Sequence, residues 1–291
     1  MMNTESKISS DLTTLDFIKA AALVIMIIDH FGFYFMVPPP GALAGDPSMW
    51  WRAVGRFGLP VWFFLIGYAR GRNIPRLMII GAVILTVANL VTGMFVFPLN
   101  ALVSMILIRL VIDRLARVTF GSLEGCIGVL FLMVVLFKPT NLLTEYGTIG
   151  VWMALMGWVV RNGATSDLWL FRTRARVNGF LALGIVATII SQMISFSFNM
   201  TQNLVMSAGI VGAFVILITM KPTSYPKLSA CMPYGLRGVI QICGRRTMEL
   251  YVAHLVLFKF VALIFGLGFP IYGWFEWDWT IYGAFTHPKI P

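Results

Sequence analysis

Residues Leu15 to Val37 form an almost unbroken apolar run that carries Asp29 and His30 near its far end. The run is about long enough to cross a bilayer as a helix of roughly 20 residues. In lipid no water is present to satisfy a loose backbone, so such a segment folds as a helix and nothing else. An acid and a histidine are costly in that setting, with charged side chains at roughly 2.5–3.5 kcal/mol each at a helix centre. Neither is needed to make a helix or fill a core. Both are therefore functional candidates, and His30 is the first of them.

The run is one of nine. Apolar segments cover about residues 15–37, 53–70, 77–97, 100–117, 122–137, 146–160, 177–197, 202–219 and 248–268, with 233–243 as a short extra or re-entrant helix. The fourth is the least apolar, because Arg109 and Asp113 fall inside it. Of the 291 residues 58% are hydrophobic and 12% charged, against about 25% charged in a soluble domain. Mean hydropathy is +0.84. These features define an all-α integral membrane protein, a polytopic bundle of about nine to ten transmembrane helices in a single domain. No linker, low-complexity tract or internal repeat divides it. Gly81, Gly150, Gly157 and Gly212 lie within the runs, where small residues allow close helix contact.

The net charge of +10 is read as topology and not as a nucleic-acid footprint. Arg70, Arg72 and Arg76 follow the second run, and Arg114 and Arg117 the fourth. Arg161, Arg172, Arg174 and Arg176 follow the sixth, while Lys221, Lys227, Arg237, Arg245 and Arg246 precede the ninth. The alternate connections hold few cations. Every second loop is basic, which predicts a cytoplasmic N-terminus and a periplasmic C-terminus. Trp50 and Trp51, with Trp274, Trp277 and Trp279, then fall on the outer side as an interfacial belt. No cleavable signal peptide is visible. Cys126, Cys231 and Cys243 have no metal-ligand spacing, and no metal site is expected.

On a helical wheel Lys19, Met26 and His30 project to one side of the first run, and Asp16 lies about 40° from His30. Asp29 points about 100° away, so it cannot orient the His30 ring directly. Arg56, which opens the second run in Gly55-Arg56-Phe57-Gly58-Leu59-Pro60, lies at a matching depth and is the expected partner of Asp29. Such a pair serves either to lock two helices or to organise a site around His30. A second cluster stands at the start of the last run, where Tyr251 and His254 share a face three residues apart. Lys259 lies about 140° from His254 and reads as a packing or snorkelling residue. Asn89 and Asn100 bracket one turn, Glu145-Tyr146-Gly147 precedes the sixth run, and His287 in the tail reads as solvated.

Lys19, Met26, Asp29-His30 and Gly32, followed by Gly55-Arg56, Pro60 and Phe64, resemble the TraX family. Arg76-Leu77, Asn100, Glu145-Tyr146-Gly147, Gly150 and Tyr251-x-x-His254-Leu255 extend the resemblance over about residues 15–260. Two positions depart from it: Glu145 stands where aspartate is expected, and Arg109 where a small residue is expected. TraX proteins are named for conjugative-pilin N-acetylation and are grouped with membrane acyltransferases related to heparan-α-glucosaminide N-acetyltransferase. The resemblance implies a multi-pass protein of a bacterial inner membrane. It would move acetyl from cytoplasmic acetyl-CoA to a pilin-like N-terminus, or to a sugar amine or hydroxyl, at the periplasmic face. On that reading His30 is a base or acetyl carrier and Asp29 with Arg56 organises the site. Lys19, Asn100, Glu145, Tyr146, Tyr251 and His254 line the acceptor or acyl pocket, while Arg70, Arg72, Arg76, Arg245 and Arg246 meet the donor's phosphates.

The residues support this independently, since histidine has a pKa suited to general-base work near neutrality and guanidinium groups bind phosphate. No glycine-rich nucleotide loop is present. Two other classes use the same residue types: a proton relay in a transporter built from Asp29, His30, Arg56, His254 and Lys259, and an assembly factor with no chemistry of its own.

Overall fold

The computed structural model describes residues 11–36, 46–92, 96–163 and 166–265. Trp274, Trp277, Trp279 and His287 lie outside them, as do the last residues of the first and ninth runs and residues 93–95 of the third. The helices are α1 (Thr14–Phe35), α2 (Met49–Gly55), α3 (Leu59–Tyr68), α4 (Arg76–Val91), α5 (Ala101–Gly121), α6 (Leu123–Val135) and α7 (Phe137–Leu143). Then come α8 (Gly147–Asn162), a 3-10 turn (Trp169–Arg172), α9 (Arg174–Ser195), α10 (Met200–Thr219), α11 (Pro226–Cys231), α12 (Tyr234–Arg245) and α13 (Thr247–Ile264). No strand occurs among the described residues; only isolated bridges join Thr13 to Ser224 and Leu99 to Thr144.

Among the described residues α1, α9, α10 and α13 are long and apolar enough to cross a membrane, and a fifth span results if α6 and α7 are taken together across their 59° bend. Many large apolar side chains face outward, among them Val83, Leu110, Phe131 and Val215. Water would not tolerate that surface, and lipid does. This is a helical membrane protein. The other apolar runs are helical too, but they are shorter or charged: α4 and α8 have 16 residues each, and α5 holds Arg109, Asp113, Arg114 and Arg117.

Two expectations about the runs are corrected. The helix expected over 53–70 starts earlier, at Met49, and breaks over Arg56, Phe57 and Gly58 before α3 resumes. Tight turns carry the break, with the Phe57 N–H donating to Val54 O (3.1 Å) and the Gly58 N–H to Gly55 O (3.2 Å). Pro60 sits in the first turn of α3, where its missing N–H leaves no intrahelical bond unmade. The run at 122–137 continues into α7 after its bend.

Local sequence explains the helix starts. Thr13 accepts from the Asp16 N–H while the Asp16 carboxylate accepts from the Thr13 N–H, a capping box that opens α1. Asn199 and Gln202 do the same for α10. Ahead of α2, Asp46 accepts from the Ser48 N–H and hydroxyl at 2.8 and 2.6 Å. Those bonds hold its carboxyl below the usual carboxylate range.

Glycine sets the closest approaches. A Cβ on Gly157 would lie 1.9 Å from the Phe64 carbonyl oxygen, and one on Gly67 would lie 1.7 Å from that of Ala154. So α3 and α8 touch backbone to backbone along their length. Gly150 faces the Phe63 ring, and Gly81 meets Val252 and Leu102. Gly212 was expected to serve the same way and does not; nothing lies within 4 Å of its Cβ direction.

The molecule has two distinct ends. At one, Arg245 pairs with Asp16, and Arg72 makes a bidentate contact to Asp113 at 2.8 and 2.9 Å. Trp158 donates to the same carboxylate, and Arg109 donates to Gly71 O. These bonds account for the charges in the fourth run. At the other end lie the Asp29 ion pairs, the cap of α5, the start of α8, and the bond from Gln202 to Asp46 O. The short helix α12 lies at the first end with Leu236, Val239 and Ile242 exposed, while Gly244 packs on Asp16 and Arg237 donates to Ser229 O.

Candidate active site

The last third of α1 presents Asp29 and His30 to different neighbours, as their 100° separation requires. Asp29 is buried and meets two guanidinium groups, that of Arg56 at the α2–α3 break and that of Arg52 on α2 at 2.9 Å. Arg52 also donates to the Asp29 carbonyl at 3.2 Å. The approach depends on Gly55, since a Cβ there would overlap the Asp29 side chain. Gly32 does the same for Trp51. The Phe196 ring closes the far side, 5.4 Å from the Arg52 guanidinium and 4.9 Å from that of Arg56.

Arg52 was not foreseen as a site residue. It stands four residues before Arg56, the spacing that places two side chains on one helix face. With the second run starting at 53 it read as a loop residue. The earlier start of α2 brings it in.

His30 turns toward α13. Its Nδ1 lies 2.8 Å from His254 Nε2, and the rings meet edge to edge with centroids 5.0 Å apart and planes 26° from parallel. His254 Nδ1 lies 2.9 Å from Leu250 O. Tyr251 flanks both rings, with centroids 6.0 and 5.7 Å away, and Phe258 stands edge-on to His254 at 5.6 Å. His30 keeps some exposure while His254 is buried. The packing of Gly244 on Asp16 and of His254 on His30 shows that α1 and α13 run parallel.

Of the other predicted residues, Tyr146 and Tyr251 stand within electrostatic range of Asp29 and Glu145 and join the cluster. Tyr146 has a left-handed backbone, φ 67°, and packs edge-on to Phe63 at 5.3 Å. Gly147 follows at φ 30°, where a side chain would also strike Thr140 and Asn141. Glu145 accepts from the Ala101 N–H at 3.0 Å and caps α5. Asn100 accepts from the Leu102 N–H and donates to Ala82 O and the Thr86 hydroxyl, binding α4 to α5. These two side chains hold helices together and were not expected to do so. Lys259 does not snorkel: its buried ammonium donates to Asn89 and lies within electrostatic range of Glu145. Lys19 falls outside the cluster, about 16 Å along the α1 axis from His30, with Asp16 as its electrostatic neighbour.

Among the basic residues expected to meet donor phosphates, two are committed elsewhere. Arg72 is held by Asp113 and by Ile66 O, and Arg245 by Asp16 and Asp11 O. Both staple helix ends. Arg70, Arg76 and Arg246 are exposed at the same end. Among the described residues no group of three or more metal-ligating side chains occurs.

A helical membrane protein with a buried carboxylate–arginine cluster beside a histidine pair is the class that fold and site define. A family model described as TraX protein matches residues 14–177, and the chain belongs to the TraX family. The match holds Asp29, His30, Arg56 and Tyr146 and ends before Tyr251 and His254. No curated protein and no solved structure matches the chain significantly.

Proposed function

We propose that this protein is an acetyltransferase of a bacterial inner membrane, with its basic end in the cytoplasm and nine spans. It moves acetyl from acetyl-CoA to an amine or hydroxyl at the opposite face, a pilin-like N-terminus being the acceptor that the family suggests. The observation that carries this reading is His30, a partly exposed imidazole hydrogen-bonded to a second imidazole inside the apolar bundle. A base or nucleophile for acyl transfer needs an oriented ring that still reaches its substrate, and the bond to His254 together with the remaining exposure of His30 supplies both.

The surrounding groups fit distinct tasks. Asp29 holds the two guanidinium groups. The Arg52 side chain keeps 16% of its surface exposed and that of Arg56 only 4%. Arg52 is therefore the better placed to meet negative charge developing on a thioester oxygen. Tyr146 stands near Asp29, and Tyr251 flanks the histidine pair. Arg70, Arg76 and Arg246 have the exposure needed to meet a phosphate-bearing donor, while Arg72 and Arg245 contribute by fixing the helices that carry them.

Melting of the purified protein in detergent with acetyl-CoA, CoA or neither tests the donor. A ligand bound only by the folded state stabilises by RT ln(1 + [L]/Kd), about 2.7 kcal/mol at a hundredfold excess over Kd. An upward shift in wild type and in His30→Ala alike is the expected result. No shift at millimolar acetyl-CoA would overturn donor binding. It would favour the reading in which Asp29, His30, Arg56, His254 and Lys259 form the proton relay of a transporter.

A further inference from the structure

The hydrogen bonds on the two histidines run in one direction, and that direction fixes the reacting atom. A neutral imidazole has one donor nitrogen and one acceptor. Leu250 O is a carbonyl and only accepts, so His254 Nδ1 carries its proton. With both rings neutral His254 Nε2 is then an acceptor, and the 2.8 Å contact requires the proton to sit on His30 Nδ1. The lone pair of His30 is left on Nε2.

We infer that His254 is the positioning residue for His30, setting its tautomer so that Nε2 is the nitrogen that meets substrate. This rests on the proposed acetyl transfer only for the identity of the substrate; the tautomer follows from the hydrogen-bond geometry of two neutral rings. Asp29 cannot do this work, because both of its oxygens face arginine and it points away from the His30 ring. Tyr251 and Phe258 keep the two rings in register.

In acetyl transfer the step balances as follows. The acceptor heteroatom bonds to the acetyl carbon as its N–H or O–H proton passes to His30 Nε2. The carbon–sulfur bond breaks, and the departing sulfur takes that proton from Nε2. Throughout, the Nδ1–H bond to His254 holds the ring and strengthens while the ring is cationic.

The chain has three histidines, His30, His254 and His287. Labelling them with 15N and assigning the rings through His30→Gln, His254→Gln and His287→Gln in the full-length protein reads each tautomer directly. The expected spectrum shows His30 protonated at Nδ1 and bare at Nε2. In His254→Leu that signature is lost, and acetyl transfer drops on the order of a hundredfold. In His254→Gln the amide oxygen still accepts from Nδ1–H, so the signature stays and most of the activity returns. A His30 ring protonated at Nε2 in wild type would overturn the inference, as would a tautomer indifferent to residue 254. Both results are independent of the acetyl-CoA melting shift, so failure of the tautomer and failure of the donor are separately visible. Should His254→Leu not fold, wild type and His254→Gln still decide the matter.

Discussion

Asp29 and His30 are neighbours in the chain and do different work, and substitution should separate them. Removing the carboxylate in Asp29→Asn takes the paired counter-charge from buried Arg56 and half-buried Arg52. Breaking a buried pair in that way costs about 3–5 kcal/mol, and thermal melting in detergent should register it with or without ligand. His30→Ala leaves the buried His254 Nε2 without its donor; it should cost about 1–3 kcal/mol while abolishing acetyl transfer. If both variants lose activity only in proportion to lost stability, His30 is a structural residue and the proposed chemistry fails. The Asp29–Arg56 pair was legible in the sequence, because two unlike charges at one depth in adjacent spans have few other partners. The bond between His30 and His254 was not: their separation of 224 positions carries no spacing signal, and wheel angles describe one helix at a time.

Among elements, the contact of α3 with α8 is the least forgiving. Gly67→Ala or Gly157→Ala drives a methyl into a carbonyl oxygen of the facing helix, and overpacking of that kind costs about 1–3 kcal/mol. Gly212→Ala meets open space and should be neutral or stabilising by up to about 1 kcal/mol, the helix-propensity difference. A melting series of the three variants checks the contrast, and equal losses would refute it. The sequence showed small residues in the spans but not which neighbour each admits, so Gly212 looked like the others. Helix α12 was visible only as a short extra segment. Its exposed Leu236, Val239 and Ile242, with its polar side turned to the protein, reverse the pattern of a helix in water. A fluorophore on Val239→Cys should be quenched by acyl-chain quenchers and little by aqueous iodide; the opposite ranking would place α12 outside the lipid.

At the scale of the molecule, the exposed basic side chains and the histidine pair lie at opposite ends of the bundle axis. Asp16 and His30 are 14 residues apart on α1, about 21 Å, and Arg245 meets one while His254 meets the other. The alternation of basic loops was readable because it is set during insertion, by charge and span order, before tertiary packing exists. The breaks at 56–58 and between α6 and α7 were not, since a hydropathy profile does not register Gly58, Pro60 and Pro139, which stand at them. A donor taken from the cytoplasm requires the basic end to face inward, and two positions report on this. Cys231 is exposed at the end of α11, whose Ser229 hydroxyl accepts from the Leu12 N–H beside the start of α1. Thr201 is exposed in the first turn of α10, next to the Gln202 bond to Asp46 O at the opposite end. An impermeant maleimide should label native Cys231 only in inverted membrane vesicles. With Cys231 replaced by serine, it should label Thr201→Cys only from outside intact spheroplasts. Reversed labelling would put the exposed Arg70, Arg76 and Arg246 outside the cell, where no acetyl-CoA pool exists. The His30 pair would then face the cytoplasm, and acetyl transfer across the membrane could not be its task.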